Sequence, residues 1–237
     1  MSEKSIKEYP LLREPRTVRL RFCKTGGMQY ISHLDLQRSF SRILARADLP
    51  LWYTQGFNPH PKIVFGLPLP VGCESVCELV DIRIIRDMPC DEVLERMHSA
   101  TASNLDFTKC YIPDTKFADI SAAGYEISID GRYIGGGAEK FLSQAVELLT
   151  GPSLTAVKRT KSGDRETDLI PLIKSVRAAE EGNKAVLRVC LAAGQTENLS
   201  PELVVSVLRD RLGIPEEERE YRVMRLYMLD ACMKEFI

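Results

Sequence analysis

The sequence predicts an α+β protein in which one succession of elements, strand, helix, strand pair, helix, strand, occurs twice. Three observations lead there. Apolar residues alternate at period two in short runs such as Val18, Leu20 and Phe22, the pattern of a strand with one buried face. They recur at helical spacing in longer runs such as Leu36, Phe40, Ile43, Leu44 and Ala47. The order of these patterns over residues 16–113 then returns over residues 125–237.

Residues 1–15 mix charge with apolar side chains and read as a tail. From Arg16 the alternation marks a strand whose outer face carries Arg19 and Arg21, and Thr25-Gly26-Gly27 turns the chain. Ser32 can cap a helix starting near His33, with Asp35 in the first turn where the helix dipole favours a carboxylate. Leu49-Pro50 ends it, and Leu51 to Thr54 reads as a short strand before a loop with two prolines. Ile63 to Leu67 and Cys77 to Ile85 form the strand pair. Asp91 can cap a helix with Val93, Leu94, Met97 and Ala100 on one side, and Leu105 to Ile112 closes the half.

After a join at residues 114–124, Tyr125 to Ile129 alternates as a strand and Ala138 to Leu149 places Phe141, Leu142, Ala145, Leu148 and Leu149 on one helical face. Leu154 to Arg159 and Asp168 to Arg177 supply strand material, followed by Ala185 to Ala192. Ser200-Pro201-Glu202 starts a helix that Gly213 should end; Glu216-Glu217-Glu218 reads as a solvated loop, and Tyr221 to Leu229 is the last strand. Each half thus has the βαββαβ order of a ferredoxin-like unit.

Composition narrows the class. With 237 residues, 44% hydrophobic content and a formal net charge of −1, the chain can bury real cores. No run of about 18 apolar residues offers a membrane span, and the first residues lack the apolar core of a signal peptide, so a cytoplasmic protein with no membrane partner is expected. Seven scattered cysteines suit free thiols in a reducing compartment. Cys73 and Cys77 have no second pair at matching spacing, so no stable zinc is expected, and they lack the third cysteine of a radical SAM cluster loop. Gly135-Gly136-Gly137 lacks the flanking residues of a phosphate-binding fingerprint and reads as a turn, and no cofactor is expected.

The residues with chemistry gather between Arg19 and Lys62. Arg38, Arg42 and Arg46 recur at intervals of four along one side of the first helix, opposite its apolar stripe, so each guanidinium stands about 6 Å further along the axis. Between Arg16 and Lys62 there are eight basic residues against Asp35 and Asp48, a local excess of six in a chain of net −1. Such an excess suits a phosphate-bearing partner, and Arg19, Arg21, Arg38, Arg42, Arg46 and Lys62 are the expected nucleic-acid contacts. A charged stripe is also the ordinary solvated face of a helix. In the loop Gln55 to Pro61, Pro59 and Pro61 stiffen the backbone and push Asn58 and His60 into extended conformations. Phe57, Asn58, Pro59 and Pro61 form a candidate interface loop. His33, at the positive end of a helix dipole, and His60 are candidate general base and acid; a loop histidine that bonds backbone carbonyls is the alternative.

The runs SHLDLQRSF and GFNPHPKIVFGLPLPVG, the segment Glu78 to Asp81 and a weaker echo at Arg165 to Pro171 resemble the radical SAM-linked family of bacterial proteins, a domain of unknown function. That resemblance implies a neighbour or fusion partner of a radical SAM enzyme and assigns no catalytic residue. Two ferredoxin-like units in succession also resemble the RAMP class of RNA-binding proteins, although fold order alone does not fix function. Three readings stand: an RNA-binding or substrate-presenting accessory to a radical SAM enzyme that modifies RNA or a translation component, without activity of its own; a metal-independent endoribonuclease using His33 and His60; or a protein-interaction module docking through Phe57.

Overall fold

The alternating run around Val18 becomes β1 (Leu11–Lys24), which buries Val18, Leu20 and Phe22. The strand starts inside the segment read as a tail: Leu11 lies opposite Arg86 of β3 (Cys73–Arg86), and Tyr9 is buried. Pairing is interrupted between Leu11 and Arg16, the stretch holding Pro15, which has no N–H to donate. This computed structural model describes residues 5–101, 105–160, 163–213 and 221–237. Residues 1–4 and the Glu216–Glu218 run lie outside the described residues. The structure is α+β, and the chain divides into two units, 1–117 and 118–237.

In the first unit β1 is followed by α1 (His33–Arg46), the short β2 (Ile63–Phe65), β3, α2 (Cys90–Ala100) and β4 (Leu105–Tyr111). The strands lie in the order β4-β1-β3-β2, each antiparallel to its neighbour. β3 begins four residues before the expected Cys77, where polar residues that hide a strand in the sequence are buried: Glu74 accepts the Gly26 N–H at 2.7 Å, and Ser75 is enclosed. Leu51 to Thr54 does not form a strand. Leu51 bridges to Ile84 and Tyr53 to Pro61, and a proline partner cannot propagate the ladder. Pro89, not Asp91, occupies the cap position of α2, leaving Asp91 in the first turn.

The core of this unit is aromatic. Phe40 of α1 is fully buried against Phe22 and Phe65, with centroids 5.0 Å away in each case, and against Phe107 at 5.6 Å. The tilted and edge-on arrangements are those the ring quadrupole favours. Val18, Leu20, Ile82 and Ile84 from the sheet and Leu36, Ile43 and Leu44 from α1 surround the cluster.

The second unit begins earlier than expected, because β5 (Ile120–Asp130) starts within the predicted join. Near its start, after Ile120 and Ser121, Ala122, Ala123 and Gly124 are buried but too small to signal a strand. A Cβ at Gly124 would stand 2.1 Å from Cζ of Tyr227, so only glycine admits that ring. After α3 (Ala138–Thr150), β6 (Thr155–Thr160) and β7 (Gly163–Asp168) form a separate hairpin rather than joining the sheet. The expected strand Asp168 to Arg177 is broken: the Asp168 carboxylate accepts the N–H groups of Leu154 at 2.9 Å and Ile170 at 3.1 Å, and a 3-10 turn over Ile170–Leu172 contains Pro171. β8 (Ile173–Glu181), β9 (Lys184–Ala192), α4 (Pro201–Leu212) and β10 (Tyr221–Asp230) follow, with strand order β10-β5-β9-β8. Ser200 caps α4, and Gly213 ends it at φ 71°. No helix among the described residues is long and apolar enough to cross a membrane.

Phe40→Ala removes the ring on which three others pack and is expected to cost about 3–5 kcal/mol. Urea unfolding should show a lower midpoint with an unchanged slope.

Candidate nucleic-acid interface

α1 is built to present one face outward. Ser32 Oγ accepts the Asp35 N–H at 3.1 Å and donates to Asp35 Oδ2 at 2.7 Å. That hydroxyl, followed by the Arg38 guanidinium, holds the Asp35 carboxyl below its ordinary range. With Leu36, Phe40, Ile43 and Leu44 buried, Arg38, Arg42 and Arg46 are all exposed on the solvent side. Arg38 Nη1 lies 3.2 Å from Asp35 Oδ1 in an open ion pair, of a kind worth roughly 0–1 kcal/mol and readily exchanged for a phosphate. Arg46 Nε donates to the Ala100 carbonyl at 3.1 Å, which leaves its two terminal amino groups directed elsewhere. Arg42 has no partner among the described residues.

The other expected contacts do not join this row. Arg19 is fully buried: it grips Asp81 through two bonds of 2.7 and 3.0 Å, donates to Thr115 Oγ1 at 2.8 Å and lies 4.1 Å over the Phe117 ring. It fastens the end of the unit to the sheet and is unavailable to a ligand. Arg21 is half-buried and engaged. Both alternate with Val18, Leu20 and Phe22, which face α1, so they occupy the opposite side of the sheet. Lys62 is on that side too, exposed and lining a shallow cleft of about 190 Å³ with Thr17, Val64, Asp81 and Arg83. The predicted single basic face therefore divides across the thickness of the sheet, and the exposed row is Arg38, Arg42 and Arg46.

The two histidines are engaged separately. His33 is exposed, with Nε2 3.2 Å from Gln37 Nε2 and its ring edge-on to Phe65 at 5.2 Å. His60 Nδ1 lies 3.1 Å from the Asn58 carbonyl and 3.2 Å from Thr54 Oγ1, and its backbone exchanges bonds with Thr54. Among the described residues no hydrogen bond or ring contact links the two imidazoles. His60 closes its own loop, leaving Phe57 wholly exposed at the tip beside exposed Asn58 and Pro59, with Pro61 half-buried. His98 bonds the Phe107 carbonyl and ties α2 to β4. Cys73 and Cys77 are buried in β3, where Cys73 Sγ donates to the Glu74 carbonyl at 3.4 Å and Cys77 Sγ lies 3.6 Å from Ser75 Oγ.

A family described as "Uncharacterized protein conserved in bacteria (DUF2344)" matches residues 17–201. The chain belongs to the DUF2344 family. The match takes in α1, the Phe57 loop and strands of both units up to the start of α4. No curated protein matches the chain. Among solved structures this DUF2344 protein is similar to "Crystal Structure of a Cbf5-Nop10-Gar1 Complex", with 12% identity and a TM-score of 0.49 over 89% of this chain and 48% of that one. It therefore spans about half the length of that relative. It is also similar to "Crystal Structure of an Unknown Protein from Galdieria sulphuraria", with 9% identity and a TM-score of 0.25 over 94% of this chain and 100% of that one. At these scores neither likeness bears on function.

One polar system in the DUF2344 protein escaped the sequence. Arg96, buried in α2, bonds Glu92 Oε1 at 2.9–3.0 Å, the Asp48 carbonyl at 2.9 Å and Asp48 Oδ2 at 3.3 Å, while Tyr9 OH donates to Glu92. The i,i+4 spacing of Glu92 and Arg96 was visible; their burial beneath the end of α1 was not.

Ser32→Ala should destabilise the protein by about 1 kcal/mol through the lost N-cap and raise the Asp35 pKa, measurable by carboxyl NMR titration. A depressed folded pKa stabilises above the unfolded value, near 3.9, and that contribution is lost as pH falls through the folded one. The stability gap between wild type and Ser32→Ala should therefore narrow below about pH 4.

Proposed function

We propose that this protein is an RNA-binding, substrate-presenting accessory to a radical SAM enzyme that modifies RNA or a translation component. The observation that carries the reading is the line of exposed guanidiniums Arg38, Arg42 and Arg46 on α1, with Arg42 unpartnered among the described residues and Arg38 held only in an open ion pair with Asp35. Guanidiniums about 6 Å apart along a rigid rod can each take one phosphate of an extended strand. The partner enzyme comes from the resemblance of SHLDLQRSF and GFNPHPKIVFGLPLPVG to the radical SAM-linked family. The fold is compatible: we read each unit as ferredoxin-like, with matching strand orders and β6–β7 as an insertion in the second, and two such units in succession suit the RAMP-like class.

Replacing Arg38, Arg42 and Arg46 together by Ala should weaken binding of single-stranded RNA at 50 mM salt and flatten the logarithmic salt slope by about 2, since each lost phosphate contact on a single strand removes about 0.7. Anisotropy titrations between 50 and 200 mM salt read both. Equal slopes for the triple variant and wild type would discard the reading.

A second reading, a protein-interaction module, is favoured by Phe57, an aromatic ring fully exposed on a loop that Thr54 and His60 hold closed. Large exposed aromatics are typical anchors of protein interfaces. Co-purification of a radical SAM enzyme with tagged protein should fall at least tenfold on Phe57→Ala, as losing an anchor worth about 2 kcal/mol would give; retention by Phe57→Ala and Asn58→Ala alike excludes that surface.

A further inference from the structure

At the C-terminal ends of α1 and α2 lies an open cleft of about 560 Å³, lined by Arg46, Asp48, Ser99, Ala100 and Thr101 and floored by Arg96. That volume falls within the roughly 300–1,000 Å³ of sites that take small ligands. The geometry points to a pocket for one unpaired nucleobase, guanine above the others, of the strand whose phosphates lie along α1; this deepens the RNA reading and rests on it.

The polar groups of the cleft decide the class of ligand. Asp48 is held at φ 49° just past the end of α1, its side chain 73% exposed, with Oδ2 3.3 Å from the buried Arg96 and Oδ1 without a partner among the described residues. Arg46 is anchored through Nε on the Ala100 carbonyl, and neither terminal amino group has a partner among the described residues. Ser99 and Thr101 donate their hydroxyl protons back to the carbonyls of Glu95 at 3.0 Å and Met97 at 2.6 Å, so toward the cleft they can only accept. The cleft therefore offers a fixed carboxylate oxygen and hydroxyl acceptors beside one guanidinium fork. Two helix C-termini add negative potential. A bare phosphate would meet Asp48 and those dipoles unfavourably, whereas a ligand with adjacent N–H donors and ring acceptors satisfies both sides. Guanine offers both on adjoining edges: N1–H and the N2 amino group on its Watson–Crick edge suit a carboxylate, and O6 and N7 on its Hoogsteen edge suit an arginine fork. Uracil has a single N–H and no second donor beside it. Arg46 is also the last cation of the α1 row, so the cleft opens where an extended strand leaves the helix; there its fork takes the base edge while its charge still lies beside the strand, and Arg38 and Arg42 make the direct phosphate contacts.

The test is amide NMR of the full chain with guanosine 5′-monophosphate and, separately, uridine 5′-monophosphate, whose phosphates are the same. Guanosine monophosphate should shift Arg46 to Asp48 and Ser99 to Thr101 and bind at least fivefold tighter than uridine monophosphate. Asp48→Asn, which keeps the side-chain shape, tolerates the positive φ and can still accept from Arg96, should remove that preference; Arg46→Lys, which keeps the charge but loses the fork, should weaken it. Equal shifts from the two nucleotides, or none in the cleft at millimolar concentration, overturn the pocket. Because RNA binding by the α1 arginines is read separately through its salt slope, a protein that binds RNA without base preference loses the pocket and keeps the row. Cleft shifts with guanosine monophosphate in a protein whose salt slope ignores the arginines would keep the pocket and discard the row.

Discussion

Phe40 is the hinge of the first unit's organisation. A helix has one orientation about its axis that buries a given residue, and enclosing this ring among Phe22, Phe65 and Phe107 sets that orientation for α1. Every other property of the helix follows by 3.6-residue geometry: Leu36, Ile43 and Leu44 go inward with it, and Arg38, Arg42 and Arg46 are turned to solvent. The aromatic cluster and the cationic row are two consequences of one packing choice.

The strand beneath makes the opposite use of its arginines. Two-residue alternation sends Arg19 away from α1, and there it is buried, an expensive place for a charge unless its hydrogen bonds are made. The bidentate grip on Asp81, the two bonds to Thr115 and the ring of Phe117 supply them. Arg19 thus serves cohesion while Arg42 remains open, though both contributed equally to the charge excess seen along the chain. A window of sequence sums charges that a sheet then separates.

The proline loop follows similar logic. Pro59 and Pro61 limit the backbone, and His60 turns its ring back on Asn58 and Thr54. The loop shows Phe57 at its tip, with the His60 ring also exposed but tethered through Nδ1. The hydrogen bonds of His60 to Thr54 and Asn58 also clasp the loop behind that aromatic tip.

The sequence by itself determined most of the elements: Ser32 and Ser200 as caps, Gly213 as a stop, the apolar stripes of α1 and α3, and the alternation of β1, β9 and β10 all depend on neighbours a few residues away. It failed where burial contradicts local character, at polar Glu74 and Ser75 opening β3 and at tiny Ala122, Ala123 and Gly124 near the start of β5. It failed again where one proline or one carboxylate, Pro61 or Asp168, redirected a strand. Tertiary structure alone decided which basic residues stand together, that the two histidines are engaged apart, and that Arg96 reaches Asp48. Those outcomes depend on through-space partners up to 96 positions distant, as between Arg19 and Thr115, and local periodicity carries no information about contacts of that range.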